Sequence, residues 1–523
     1  MTVTANVREA LESDVEEVRN LFANVYGEDY PFQDFYDTDW LKKSVFDDDT
    51  LFLVAENDGR IVATGSVMLA AGGMADLIGE LGRLVAAPTK RARGAAQAIA
   101  DELVSRVRQK VQFAFAEVRT VHKGSQRLAR DASWTAAGYE PMKYQFGRRE
   151  SVVFYASLFG PARQLRRNNP HLIPEAARLA QTVLKNMDLP VDAVVVDEPD
   201  GYPTAPCCTV ERLTEEGVTP LLRIERGRIT HREVFGHFSL AYGFFRITAQ
   251  HSHYLVAREG DAVLGAIGFT HDPIDRKVRV LELIEFDDAV KGYLLAEVDR
   301  LAREEFGAAY QEVDVSAYSP KIQRALERLG FVPVAYCPSM VFQNVERLDV
   351  LRMAKLSLPY DPGRMRLLDD GARIRDIVEQ GMEDHTVGMQ ISAAVRDTEL
   401  FEGLPDGELY HLATIAQLRD YPPGTRLIRE GETPDRLYIL LDGEAEARKG
   451  DASLAVLHSG VLFGEMALVE KTRRSADVVL TQSARVIEVP LPPLQRLMEA
   501  RPRLGYVVAT NLARSLSRKL RGA

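Results

Sequence analysis

Two stretches of this chain, far apart, carry the residue types that hold a phosphate. The first, Arg91-Ala92-Arg93-Gly94-Ala95-Ala96, leads into an amphipathic helix with Ile99, Leu103 and Val107 on one face. Amides at a helix start lack an acceptor within the helix, and small residues let an anion approach them. Glu80 stands eleven positions before Arg91, at the start of a strand running to Ala86. A carboxylate there can take the proton an amine nucleophile must lose, directly or through water. It can equally sit as a strand-edge glutamate paired with Arg83, or solvated. The second stretch is Phe463-Gly464-Glu465-Met466-Ala467-Leu468, then five residues, then Arg474-Ser475-Ala476. A one-turn helix at Glu465–Leu468 points donors outward, Gly464 allows close backbone approach, and Arg474 adds a planar, permanently charged donor. The Ser475 hydroxyl offers a further group to a phosphate or a purine.

The elements positioning the first stretch alternate strand and helix. A short strand at Val7–Ala10 precedes Ser13-Asp14-Val15-Glu16, whose serine and glutamate three apart predict a capping box. Leu51–Ala55 and Ile61–Leu69 form a hairpin through Asn57-Asp58-Gly59. Glu80–Ala86 and the helix follow. Val121-His122-Lys123-Gly124-Ser125-Gln126 and Trp134-Thr135-Ala136-Ala137-Gly138-Tyr139 then supply a strand, a helix and a Gly-aromatic return. This order, with Arg-x-x-Gly-x-Ala in place, resembles the GCN5-related N-acetyltransferase family over about Val7–Arg148. The resemblance implies acetyl-CoA as co-substrate, held by Leu84, Val85, Ala86, Arg91, Ala92, Arg93, Gly94, Ala95 and Ala96, with Glu80 as general base. Where the family commonly has a tyrosine, four residues before the Gly of the return, this chain has Trp134. Indole cannot protonate a leaving thiolate. Water, another side chain such as the Tyr139 phenol, or unaided departure would have to serve.

A helix at Glu175–Met187 and a Pro/Asp/Gly-rich link at Glu198–Pro206 lead to a second run of the same pattern from Cys207. Tyr254–Ala257, Gly260-Asp261 and Val263–Phe269 repeat the hairpin; Val278–Phe286 is a strand and Ala289–Phe306 a helix. Val313–Ala317 and Leu326–Phe331 repeat the return. The phosphate loop does not match: Asp287-Asp288-Ala289-Val290-Lys291-Gly292 puts two carboxylates where an anion should sit, and like charges repel. Leu326 holds the tyrosine position. The expectation is an inactive, degenerate copy that walls the substrate cleft or makes a dimer contact. His231, His237, His251 and His253 lack consistent ligand spacing, so no metal site is expected. Arg364–Arg396, with Leu367, Ile374, Ile377 and Val378, suggests connecting helices.

From Phe401 short apolar stretches alternate with turns at Pro422-Pro423-Gly424, Glu430-Gly431-Glu432 and Asp442-Gly443, the mark of an antiparallel roll. With the second stretch in register, about Asp397 to Ala523 resembles the cyclic-nucleotide-binding domains of catabolite activators and protein kinase A regulatory subunits. The resemblance implies a cyclic nucleotide, cAMP ahead of cGMP, held by Phe463, Gly464, Glu465, Met466, Ala467, Leu468, Arg474, Ser475 and Ala476, with Glu465 on the ribose 2′-hydroxyl. Leu491–Leu520 predicts two helices broken near Arg501-Pro502, whose apolar face (Leu494, Leu497, Leu504, Val508, Leu512) must pack on the roll, elsewhere in the chain or on a second subunit. A homo-oligomer is thus left open. The span leaves no room for a DNA-reading helix pair after the roll.

The chain has 523 residues, and a formal charge of −11 argues against a nucleic-acid partner, since phosphate backbones are bound by accumulated Lys and Arg. The basic tail (Arg514, Arg518, Lys519, Arg521) fits a solvated helix face. Three cysteines, two adjacent, give no disulfide framework, and neither a signal peptide nor a membrane span is apparent, so a cytoplasmic protein is expected. The expected fold is α+β and multidomain: an acetyltransferase domain at 1–150, a helical linker at 151–205, a second, degenerate acetyltransferase-like domain at 206–346, a connecting helical segment at 347–396, and a β-roll cyclic-nucleotide-binding domain at 397–523. The expected function is transfer of an acetyl group from acetyl-CoA to an amine, on a protein lysine or a small molecule, under cyclic-nucleotide control. Two alternatives stay open. One is a longer acyl donor, since Glu80-Leu81-Gly82-Arg83-Leu84 bears some resemblance to the strand of enzymes that acylate amino acids from acyl carriers. The other is a non-catalytic sensing scaffold.

Overall fold

The computed structural model describes residues 5–28, 30–69, 76–89, 92, 94–197, 199–213, 232–236, 252–469 and 473–521. They fall in two units, Met1–Gly381 and Met382–Ala523. Arg91, Arg93, His231, His237 and His251 lie outside the described residues.

The first unit opens with β1 (Asn6–Glu9), α1 (Val15–Tyr26) and α2 (Thr38–Val45). The start of α1 departs from the expected capping box. Asp14, not Ser13, organises it: its carboxylate accepts the Leu11 amide at 2.7 Å and is clamped by Arg8 at 2.6 Å. Strands β2 (Thr50–Asn57) and β3 (Arg60–Met68) meet at Asp58 and Gly59, with φ of 53° and 71°. Both central residues of this turn need positive φ, which is why Asp-Gly marks it. Next come β4 (Ile78–Ala86), α3 (Ala95–Val107), β5 (Phe113–Arg119) and α4 (Gly124–Asp131), then the hairpin β6 (Thr135–Phe146) and β7 (Arg148–Leu158). The buried face of α3 is the expected one, Ile99, Leu103 and Val107. Residues 151–158 therefore belong to the sheet and not to a linker, because β7 pairs with all of β5. Its residues from Glu150 to Ala156 are buried without alternation, so a period-two pattern never marks them as a strand.

The chain continues through β8 (His171–Leu172), α5 (Pro174–Asn186), β9 (Val194–Val195), β10 (Thr209–Arg212), β11 (Ser252–Glu259), β12 (Ala262–Asp272) and β13 (Lys277–Glu285). Then follow α6 (Ala289–Glu304), β14 (Tyr310–Ser316), α7 (Pro320–Arg328), β15 (Val332–Gln343) and β16 (Glu346–Leu356). Residues 347–356, expected in a connecting helical segment, are thus a strand, buried from Arg347 to Ala354. One 14-stranded sheet runs β1-β2-β3-β4-β5-β7-β6-β15-β16-β14-β13-β12-β11-β10. Its second half repeats the strand order of the first, and the halves meet at β6 and β15.

That seam has a single backbone pair, Gly138 with Ala335. A Cβ on Gly138 would lie 2.3 Å from the Ala335 Cβ, so the close approach requires glycine. Around it charged side chains are buried in contact. The Lys143 ammonium meets Glu117 at 2.8 Å, Glu140 at 3.0 Å and Glu312 at 2.8 Å. Arg352 meets Glu117 at 3.0 Å, Glu140 at 2.8 Å and Asp314 at 2.7 Å, and Arg279 meets Glu312 at 2.8 Å. Burial pushes the Glu117 carboxyl up, but Lys143 and Arg352 more than reverse this and hold it well below the usual range. Glu140 is raised, by burial first and then by the Glu117 charge.

α8 (Asp369–Arg396) begins in the first unit and ends in the second. Within the first, the Tyr155 hydroxyl donates to Asp370 at 3.2 Å; within the second, Ile391 and Val395 join the core. The second unit adds α9 (Asp406–Ile415) and then β17 (Gln417–Tyr421), β18 (Arg426–Ile428), β19 (Arg436–Asp442), β20 (Glu444–Lys449), β21 (Ala452–His458), β22 (Leu462–Phe463), β23 (Asp477–Leu480) and β24 (Ala484–Pro490). They form two sheets, β17-β24-β19-β22 and β18-β23-β20-β21. α10 (Leu491–Ala500) and α11 (Pro502–Arg521) break at Arg501, as Arg501-Pro502 implied. Leu494, Leu504, Val508 and Leu512 share one core with Leu437, Ile439, Ile487 and Val489, so the roll covers the apolar face of these helices. Among the described residues no helix is long and apolar enough to cross a membrane.

Replacing one member of the buried seam strands its partners. Arg352→Ala should lower the stability of the first unit by about 3–5 kcal/mol, because Asp314 and Glu140 lose their nearest cation. Both tryptophans, Trp40 and Trp134, lie in this unit. Urea unfolding followed by intrinsic fluorescence therefore reports on it alone. A loss under about 0.5 kcal/mol would show the seam to be dispensable.

Candidate functional site

β4 and β5 run parallel, yet they pair only over Ile78–Glu80 against Phe113–Phe115. Beyond that β4 bulges: the β3–β4 register shifts between Thr64 and Ser66, and Arg83 sits at φ 56°. The strands part, and a cavity of about 190 Å³ opens between them. Glu80–Leu84 form one wall and Ala116–Arg119 the other. Tyr26, Tyr30, Phe32, Tyr144 and Phe146 make an aromatic end, and Ser125, Ala129 and Trp134 close the α4 side.

Inside it Glu80 is paired with Arg83 at 3.1 Å, the arrangement that sequence reasoning held open beside a catalytic one. The second cavity cation, Arg119, is already engaged by both oxygens of Glu150, at 2.8 Å each. Tyr144 donates to Glu117, and burial with that carboxylate beside it pushes the phenol well above its ordinary range. Three buried polar atoms of cavity residues have no hydrogen-bond partner: Arg83 Nη1, Ser125 Oγ and Trp134 Nε1. Buried polar groups in native proteins are normally paired, so these are groups a bound molecule could satisfy.

The other expected residues of this half divide. Leu84 lines the cavity, whereas Val85 packs into the core under α1 and α2. Ala86 pairs with Ala63, and Ala92 and Ala95 are buried. Gly94 precedes α3 at φ 85°, and no atom lies within 4 Å of where its Cβ would stand. Among the described residues the position in front of the helix start is therefore unfilled, and small residues flank it. Glu117, Arg119, Tyr144 and the aromatic end were missed. The aromatic density from Phe22 to Phe35 was their one sequence signal.

The return lies five residues earlier than expected. α4 ends at Asp131, Ser133 takes the left-handed conformation (φ 63°) and Trp134 follows. In the second half α7 ends at Arg328, Gly330 is left-handed (φ 95°) and Phe331 follows. Serine in the glycine position hid the match. The tyrosine position is consequently Ala129, which lines the cavity, and Trp134 is the aromatic of the return. The phenol remains missing. Tyr139 cannot replace it, being buried with its hydroxyl 2.6 Å from that of Tyr360.

The second half repeats the parting of its two parallel strands, with different side chains among the described residues. β12 shifts register between Gly268 and Phe269, and β13 pairs with β14 only over Lys277–Arg279 against Tyr310–Glu312. Arg279 thus occupies the register position of Glu80, and its partner is Glu312. Among the described residues, the cavity between these strands and α6 and α7 is about 10 Å³. Within the first turn of α6, a Cβ on Gly292 would lie 2.3 Å from the Pro203 carbonyl and 2.6 Å from that of Tyr202, so main chain packs closely on that turn. Lys291 points into Glu233 (2.6 Å), Asp288 (2.9 Å) and Glu285 (3.2 Å) instead of toward a ligand.

In the second unit the expected residues do converge. Gly464 (φ 85°) opens a single helical turn at Glu465–Leu468, and its missing Cβ leaves room for Arg474 Nη1, 2.8 Å from where that atom would stand. Arg474 donates to the Gly464 carbonyl at 3.2 Å and the Arg436 carbonyl at 2.6 Å. No carboxylate among the described residues forms an ion pair with it, and burial pulls its pKa below the ordinary value. A half-buried guanidinium held by neutral carbonyls is a cation awaiting an anion. Phe463 is buried, stacked on Tyr438 with ring centroids 5.3 Å apart. Ala467 and Leu468 pack on the roll core; Met466 and Ser475 are exposed, and Ala476 is half-buried beside the turn.

Comparison with known proteins finds a family match in each unit. Residues 15–132 match the acetyltransferase (GNAT) family and residues 418–501 the cyclic nucleotide-binding domain. Glutaminase 1 of Bradyrhizobium diazoefficiens is 38% identical over 122 residues, 23% of this chain and 20% of that protein. A cAMP-dependent protein kinase regulatory subunit of Colletotrichum orbiculare is 33% identical over 106 residues, 20% of this chain and 27% of that protein. The chain thus spans under a third of the length of these curated relatives. A cyclic nucleotide-binding domain structure from Methylobacillus flagellatus covers 26% of this chain and 80% of that one, at 25% identity and a TM-score of 0.24. The chain carries a GNAT acetyltransferase domain followed by a cyclic nucleotide-binding domain.

If Arg474 is the anion's counter-charge, Arg474→Ala should weaken cyclic nucleotide binding by about 2–4 kcal/mol, tens- to several-hundredfold. Titration with fluorescent cAMP and cGMP analogues measures it. Unchanged affinity for both would remove Arg474 from the ligand.

Proposed function

We propose that this chain, a GNAT domain joined to a cyclic nucleotide-binding domain, moves an acetyl group from acetyl-CoA to an amine in its first half only, under control of cAMP. The observation that carries this is the contrast between corresponding strands of one sheet. The first half has a cavity of about 190 Å³ and a carboxylate at Glu80, with α3 starting at Gly94. Among its described residues, the second has a cavity of about 10 Å³ and Arg279 in the carboxylate's register position, with main chain packed on the first turn of α6. The second half then serves as the far side of the seam that holds Glu117, and with it one cavity wall.

In this reading the pyrophosphate rests at the start of α3 and the pantetheine arm lies between β4 and β5. Glu80 accepts the proton of the attacking amine, directly or through water. With Ala129 at the tyrosine position no acid stands beside the leaving sulfur. Ser125 Oγ and Trp134 Nε1, both buried and unpartnered, can donate hydrogen bonds there, and a thiolate with an ordinary pKa needs no more than solvent to protonate it. The acceptor is a protein lysine or a small amine. Control is assigned to α8, whose first turns contact β7 and whose last turns lie in the core of the roll.

Glu80→Gln should keep acetyl-CoA affinity and lower turnover by about 10²–10⁴ at neutral pH, measured as coenzyme A release with a panel of amines. Unchanged turnover removes Glu80 from the chemistry. Control by cAMP should appear in binding as a reciprocal shift: acetyl-CoA changes cAMP affinity by the factor by which cAMP changes acetyl-CoA affinity, typically about 5–150-fold. If neither affinity nor turnover responds to the other ligand, the roll does not regulate this transferase.

A further inference from the structure

Among the described residues of the cavity, the guanidinium of Arg83, 5.8 Å from the Phe32 ring centroid, keeps an edge without a hydrogen-bond partner. Its side chain is 10% exposed; Nη2 meets Glu80 at 3.1 Å and the Met68 sulfur at 3.5 Å, while Nη1 is buried without a partner. The backbone commits it to this place. Arg83 lies in the left-handed region on the β4 bulge, a conformation that a non-glycine residue adopts at a cost and keeps only where its surroundings fix it. The other cavity arginine cannot serve the same purpose, because Glu150 already takes it in bidentate fashion.

A fork of guanidinium donors with a free edge matches a carboxylate. Glu80 beside it matches an ammonium. We infer that the acceptor carries a carboxylate next to its amine: it is a free α-amino acid, its ammonium on Glu80, its carboxylate on Arg83 and an apolar side chain among Tyr26, Tyr30 and Phe32. This rests on the transferase reading and narrows its acceptor. A lysine side chain within a protein has no anion beside its ammonium and would leave Arg83 Nη1 unpaired. The step balances simply. The ammonium first gives one proton to Glu80, which releases it to solvent. The free amine nitrogen then forms the amide bond to the acetyl carbon, the carbon–sulfur bond breaks, and the second nitrogen proton ends on the departing thiolate, so an amino acid and acetyl-CoA give an N-acetylamino acid, coenzyme A and one proton.

The test uses the full chain with coenzyme A bound and three pairs of ligands: phenylalanine with 2-phenylethylamine, tyrosine with tyramine, leucine with 3-methylbutylamine. Nα-acetyl-lysine amide stands for a protein lysine. Calorimetry should show at least one amino acid binding tenfold or more tighter than its decarboxylated partner. Arg83→Gln should erase that preference, with Arg83→Lys intermediate because it keeps charge but loses the fork. The inference falls if no amino acid is preferred over its amine, if the lysine amide binds tightest, or if the preference survives Arg83→Gln. Should Arg83→Gln not fold, the parent comparison and Arg83→Lys decide alone. Coenzyme A release, followed in parallel, separates the two levels. Turnover of amines lacking a carboxylate keeps the transferase and rejects the amino-acid acceptor; amino-acid binding without turnover does the reverse.

Discussion

The seam between the half-sheets constrains everything around the cavity. A single backbone pair at Gly138 and Ala335 is too little to hold two seven-stranded halves in register. The work falls to Glu117, Glu140 and Lys143 from one side and Arg279, Glu312, Asp314 and Arg352 from the other. Buried charges gain little net stability over a well-packed apolar core, but each is costly to strand, so such a cluster tolerates one arrangement and penalises slippage. Glu117 belongs both to this cluster and to the cavity wall, and it orients Tyr144. The geometry of the cleft in one half is in this way set by side chains of the other.

That dependence gives the second half a reason to persist with its own cleft filled. Arg279, standing where the first half has Glu80, reaches Glu312 in the seam. Lys291 is turned inward onto three carboxylates, and the chain at Tyr202 and Pro203 closes over Gly292. In the second unit the economy is opposite. Arg474 is held on main-chain carbonyls with no ion-pair partner among the described residues, and the turn it faces needs glycine at its head.

Much of this was legible in the sequence because local chemistry and local geometry coincide there. Asp58-Gly59, the apolar face of α3 and the Gly464 to Ala476 spacing each depend on near neighbours and appear as expected. The order of strands in the second half also followed from its patterning. What failed depended on contacts distant in sequence. β7 and β16 lie between other strands and are buried throughout, so no alternation marked them and the domain limits fell short by about one strand each. The return was misplaced because Gly138 looked like its glycine, whereas that glycine is demanded by Ala335, nearly two hundred residues away, and the left-handed position is held by Ser133. The Arg83 guanidinium was seen only as a partner of Glu80; its unpaired edge emerges only once the bulge and the cavity are built.

The central claim is that two like halves of one sheet have only one working cofactor cleft. Titration of acetyl-CoA into the full chain by calorimetry tests this most directly. The account predicts one molecule bound per chain, located in the first half by crosslinking with a photoreactive coenzyme A. Two molecules per chain, or a single one crosslinked near Gly292, would contradict it.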